Sequence, residues 1–142
     1  MLLNLSLQLP EDYIHLPMVR RVTREVLASF GVGKGDIDDI ELLVGELATN
    51  AVRHARSDGY SLEIGLDGDR ALVTVIDNGE GFDRSRIPAP GTARPDGDAD
   101  GDSEGRIGGW GIPLVEMIAD EVEISPNEPH GTRVRAIKFL QG

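Results

Sequence analysis

The stretch Asp36 to Ala55, DIDDIELLVGELATNAVRHA, constrains this chain more than any other, because it can bury its apolar residues together only as one amphipathic helix. Ile37, Ile40, Val44, Leu47 and Ala51, with Leu43 and Ala48 beside them, recur at the three-and-four spacing of a helix face. Asp36 is the expected N-cap, since its carboxylate can accept an orphan backbone N–H of the first turn. Glu46, Asn50 and His54 stand four residues apart in succession and therefore share another face, with Arg53 alongside. A carboxylate, an amide oxygen and an imidazole in a row can supply a base, a metal ligand and a phosphate contact. The plain alternative is a solvated helix face. Against it, Asn costs about 0.5 kcal/mol relative to Ala in a helix interior, and Asn50 sits among strong helix formers.

Around this helix the pattern alternates between two periods. Leu3, Leu5, Leu7 and Leu9 recur at every second position, the mark of a half-buried strand over Leu2–Leu9 that ends at Pro10. A helix is expected from Pro17 to Phe30, with Pro in its first turn and Gly31 as its C-terminal cap. Its buried stripe is expected at Val19, Val22, Val26 and Phe30. Two strands, Tyr60–Leu66 and Arg70–Ile76, flank a tight hairpin turn at Asp67-Gly68-Asp69. A short helix from Ile112 to Ala119 and two last strands, Glu121–Ser125 and Thr132–Leu140, complete the order. Residues 83–107 lose all periodicity and carry Pro88, Pro90, Pro95 and a run of Asp, which is expected of a flexible lid. The sum is a single α/β domain over residues 1–142, a two-layer sandwich with helices on one face of a mixed, largely antiparallel sheet.

Charge and composition remove several functions. A formal net charge of −11 would repel a nucleic-acid backbone, but permits a basic partner or a cation-shielded nucleotide. No cysteine is present, so neither a disulfide nor a thiolate metal site is available. His15, His54 and His130 lack metal-site spacing. The opening MLLNLSLQLP lacks a basic leader, and no apolar run reaches the length of a membrane span, so a cytoplasmic protein is expected.

Two glycine-rich segments carry the remaining signal. DNGEGF over residues 77–82 reads first as a turn. Equally, an Asp at a strand end can accept a hydrogen bond from an exocyclic amine while the glycines let backbone approach a flat ring. GGWGI over residues 108–112 reads as a hinge, or as N–H groups gathered at a helix start to meet an anion. Neither a Walker loop nor a dinucleotide GxGxxG is present. Asp96, Asp98, Asp100 and Gly101 match the start of a calcium loop, but Ile107 stands where the bidentate Glu belongs.

Taken together, ELATN running into NAVRHA, then DNGEGF, GGWGIPLV and HGTRV, resemble the nucleotide-binding boxes of the GHKL (Bergerat-fold) ATPases over nearly the whole chain. Within that superfamily the chain looks like the anti-sigma-factor serine/threonine kinases. The resemblance implies ATP and Mg²⁺ as cofactors, a sigma factor held inactive, and an antagonist protein phosphorylated on Ser or Thr. It implies that Asn50 coordinates Mg²⁺, that Glu46 is the general base, and that Asp77 binds the adenine amino group. Gly79 and Gly81 would give room for the ring. Gly109, Gly111 and Ile112 would face the phosphates, Thr132 the adenine, and Arg53 and His54 a phosphate. Gly109-Trp110 departs from the Arg-Gly pair common in the family. His15 is followed by Leu16-Pro17, unlike the phosphoacceptor of a histidine kinase. An alternative function is an ATP-gated binding module without kinase activity. Arg20, Arg21 and Arg24 offer basic contacts for a partner or are simply solvated, and homodimerisation stays open.

Overall fold

The computed structural model describes residues 2–54, 59–77, 112–126 and 131–141. Strand β1 spans Leu3–Leu9 and leads through a 3-10 turn, Tyr13–His15, into helix α1, Leu16–Ser29. Helix α2 runs Lys34–His54, and the hairpin strands β2 and β3 span Tyr60–Asp67 and Arg70–Asp77. A short helix, α3, occupies residues 112–118. Strands β4, Glu121–Pro126, and β5, Thr132–Phe139, follow it.

The five strands form one sheet in the order β1-β2-β3-β5-β4, and every pairing is antiparallel. Register explains the core. Leu7, Leu62, Val75, Val134 and Ile124 stand opposite one another across the sheet, as do Leu5, Ile64, Val73, Ala136 and Val122. These rows pack with the α2 stripe, whose Ile40, Leu43, Val44 and Ala48 are wholly buried. Complete burial of such side chains contributes about 1.5–3 kcal/mol for each large one.

Three sequence expectations change. The buried stripe of α1 runs through Leu16, Val19, Thr23 and Leu27, while Val22 and Val26 are half-buried and Phe30 is 47% exposed. Thr23 can occupy the core because its hydroxyl donates to the Val19 carbonyl at 2.8 Å, which cancels its polarity. Asp36 is not the cap of α2. The helix begins earlier, with the Gly33 carbonyl accepting from Ile37, and buried Asp36 instead accepts the Gln141 backbone N–H at 2.8 Å. Arg24, its side chain 40% exposed, pairs with Asp38 and Glu41 of α2 and so ties the two helices together.

The turns follow their glycines. Gly31, at φ 83°, closes α1 in a Schellman arrangement, with Val32 N–H donating to Leu27 and Gly31 N–H to Ala28. Gly68, at φ 63°, opens the two-residue loop between the paired Asp67 and Arg70. Gly59 has φ 74°, and a Cβ there would lie 2.1 Å from the Leu9 carbonyl oxygen.

Gly59→Ala should therefore cost more than about 2 kcal/mol through backbone strain and displacement of β1. Gly35, in the first turn of α2, has open space around its missing Cβ and no positive φ. Gly35→Ala should stabilise by about 0.4–1 kcal/mol. Urea unfolding of both variants measures the two opposite signs.

Candidate functional site

The direction of α2 decides which residues can meet. Its start is tied to the hairpin end of the sheet by Asp36 on Gln141 and by Asp39 facing Lys138 at 3.7 Å. From Lys34 to Asn50 the helix rises about 24 Å, and the seven steps of β3 from Arg70 to Asp77 also cover about 24 Å. Asn50 therefore reaches the end of the sheet where β3 finishes and where β2 and β5 begin.

At that end the register sets three polar residues in one transverse row. Tyr60 stands opposite Asp77, and Asp77 stands opposite Thr132. All three occupy the face that carries Leu62, Val75 and Val134, and they are 3%, 3% and 2% exposed. Asn50 is 4% exposed, and its Oδ1 has no hydrogen-bond partner among the described residues. The Tyr60 hydroxyl is buried and equally unpartnered. Unpaired buried polar atoms are costly, about 1–3 kcal/mol each, so two of them at one end of a fold mark a place where something polar is received.

Glu46 lies one turn before Asn50 on α2 and is half-buried. Burial pushes its carboxyl above the ordinary range, and the Arg20 guanidinium on α1 pulls it partly back. Arg20 reaches α2 because Gly45 has no side chain: a Cβ there would come within 2.8 Å of Arg20 Nε and 2.9 Å of Nη2. A raised carboxyl one turn from an amide oxygen without a partner among the described residues is a stronger proton acceptor than an ordinary carboxylate.

The remaining expected residues divide in two. Arg53 is exposed near the end of α2, and Ile112 is 1% exposed and belongs to the core. Gly79, Gly81, Gly109, Gly111, the His54 side chain, the stretch 83–107 and His130 lie outside the described residues. Among the described residues no group of three or more His, Cys, Asp or Glu could hold a metal ion. A cation at Asn50 would thus take most of its oxygens from elsewhere, as Mg²⁺ commonly does from phosphates and water. A surface cavity of about 540 Å³ lies at the other end, against Gly33, Gly35, Asp36, Asp38, Asp39 and Gln141. Its carboxylates have the wrong sign for a phosphate. Tyr60 escaped the sequence reading, yet the two-residue loop after Asp67 places it opposite Asp77 by register alone.

Comparison with known proteins bears on this arrangement. A family model described as the histidine kinase-like ATPase domain matches residues 9–138. A serine-protein kinase RsbW of Bacillus velezensis is 32% identical, over 97% of this chain and 86% of its own length. One from Bacillus subtilis is 29% identical over 97% and 86%. Among solved structures, the RsbU and RsbW domains of a Mycobacterium tuberculosis protein superpose with a TM-score of 0.67 at 24% identity. That match covers 97% of this chain and 32% of the other. The SiaB–SiaC complex of Pseudomonas aeruginosa gives 0.68 at 16% identity, over 94% and 89%. At such identities the structures speak for the fold.

The Glu46 carboxyl should titrate above the ordinary carboxylate range in a carbon-13 NMR titration, because burial outweighs Arg20. Arg20→Gln should move it higher still, and so should Gly45→Ala, which displaces the guanidinium while retaining its charge. A downward shift in either variant contradicts the arrangement.

Proposed function

The chain belongs to the histidine kinase-like ATPase domain family, and from that premise we propose that it is an ATP-dependent serine/threonine protein kinase of the anti-sigma-factor type. It would hold a sigma factor inactive and phosphorylate an antagonist protein, acting in the cytoplasm as a single domain. What supports this is the run of α2, which carries Glu46 and the buried Asn50, its Oδ1 without a partner among the described residues, toward the sheet end where Asp77 pairs with Thr132. Similarity to proteins named serine-protein kinase supports the reaction type. Among the described residues no helix is long and apolar enough to cross a membrane.

Each side chain has a task that its environment suits. Asp77, at the end of β3 and 3% exposed, accepts a hydrogen bond from the exocyclic amine of adenine in a place where water competes little. Thr132, its cross-strand neighbour, would meet the same ring edge. The Asn50 Oδ1 is a hard oxygen with no partner among the described residues, which fits a role as a Mg²⁺ ligand. When bound, Mg-ATP supplies the phosphoryl group and the cation that offsets its charge. Catalysis of such transfers is largely positioning and charge neutralisation. Glu46 then takes the proton from the acceptor hydroxyl. A hydroxyl is not ionised at neutral pH, so a base raised toward neutrality by burial is more effective than an ordinary carboxylate. Gly79 and Gly81 would line the ring, and Gly109, Gly111, Arg53 and His54 the phosphates. Arg20 and Arg21, exposed on α1, remain the basic contacts for an acidic partner surface.

Three outcomes test the proposal. Saturating Mg-ATP, at 100 times its dissociation constant, should add about 2.7 kcal/mol of stability, and Asp77→Asn should abolish the rise in melting temperature. Glu46→Gln should keep that rise but slow phosphorylation of an antagonist by roughly 10²–10⁴-fold. In the parent protein the rate should climb with pH as Glu46 loses its proton, and the variant should lose that limb. A parent that forms nucleotide-dependent complexes but never labels a partner from radioactive ATP would instead be a nucleotide-gated binding module.

A further inference from the structure

Resting on the nucleotide site proposed above, we infer that Tyr60 is a specificity-determining residue: its hydroxyl donates to a ring-nitrogen acceptor of a 6-aminopurine, directly or through one ordered water. The placement comes from the sheet. Tyr60, Asp77 and Thr132 are consecutive cross-strand neighbours on the core face, and neighbouring strands lie about 4.8 Å apart. Across the sheet the row reads hydroxyl, carboxylate, hydroxyl. The outer members can donate and the central one can only accept.

That order selects a base. Adenine presents its 6-amino donor between two ring acceptors, N1 and N7, which complements donor, acceptor, donor. Guanine presents a carbonyl acceptor at position 6 and an N–H donor at position 1, so it would set acceptor against acceptor beside Asp77. Thr132 and Tyr60 flank Asp77 on opposite sides, so each can serve one ring nitrogen.

Two further observations separate this role from core packing. The Tyr60 hydroxyl is buried in a residue only 3% exposed and has no partner among the described residues. A phenylalanine would fill the same space and leave no polar atom stranded. Burial also pushes the phenol up to about 12, so it stays protonated and keeps its role as donor at any physiological pH. Its place is fixed at the backbone, because Gly59 precedes it at φ 74° against the Leu9 carbonyl.

Tyr60→Phe tests the inference, with calorimetric titration of Mg-ADP and Mg-GDP and a melt without nucleotide. Loss of one hydrogen bond should weaken ADP binding about 3- to 10-fold. The preference for ADP over GDP should narrow, and the nucleotide-free melting temperature should hold or rise. Unchanged ADP affinity and preference would overturn the role of Tyr60 and leave the site intact. A lower nucleotide-free melting temperature would overturn it too, since it means the hydroxyl already has a partner inside the protein. Failure of the parent protein to bind either nucleotide would overturn the site and this role together.

Discussion

The seating of α2 across β3 is the constraint on which the rest of the molecule depends. Leu43, Val44, Leu47, Ala48 and Ala51 are each at most 1% exposed, so the helix can be neither rotated nor slid without emptying the core. A rotation by one residue, about 100°, would swing Glu46 and Asn50, which share one face, out of their present directions together. The hydrophobic stripe therefore sets the angular position of the polar stripe. Ties at the hairpin end, Asp36 on Gln141 and Lys138 facing Asp39, set the axial position. Geometry at the functional end is thus fixed by contacts made at the opposite end.

Those two fixings differ in how far the sequence reveals them. The stripe of α2, the hairpin through Gly68 and the alternation in β1 are local periodicities, and they appear in the structure close to where the residues placed them. The antiparallel sheet and helix layer expected from element order are present as well. What stayed hidden was decided by hydrogen bonds and ion pairs that periodicity does not show. Thr23 looks polar until its hydroxyl is seen to bond Val19, and Asp36 looks like a cap until Gln141 arrives from 105 residues away. Arg24 looks available until Asp38 and Glu41 come alongside. Tyr60 looks like an ordinary strand aromatic, because a hydroxyl without a partner is a property of the fold and of no single residue.

The charge distribution explains how an acidic chain can receive a phosphate. Net charge is −11, but Asp36, Asp38, Asp39 and Glu41 all fall in the first half of α2. Carboxylates there favour the positive end of the helix dipole. They also lie far from the end holding Asn50, with Lys34, Arg24 and Lys138 paired among them. Arg53 stands at the other end, and Arg20 is held near Glu46 by the bare surface of Gly45. The field that an anion meets on approaching Asn50 is therefore set by local cations more than by net charge, which is screened over about 8–10 Å at physiological ionic strength.

Stability and recognition pull against each other in the same few residues. Filling the end of the core with apolar side chains would remove the oxygens of Asn50 and Tyr60 that have no partner among the described residues, and would make the free protein more stable. It would also remove every group able to distinguish one flat ring from another, because an apolar pocket discriminates isosteric ligands weakly. A buried acceptor such as the Asn50 Oδ1, without a partner among the described residues, would gain most from a ligand where water is largely excluded. The cost borne in the free state is the source of the selectivity in the bound one. It can be borne because α2 and the sheet bury enough apolar surface elsewhere to hold those oxygens in place while they wait.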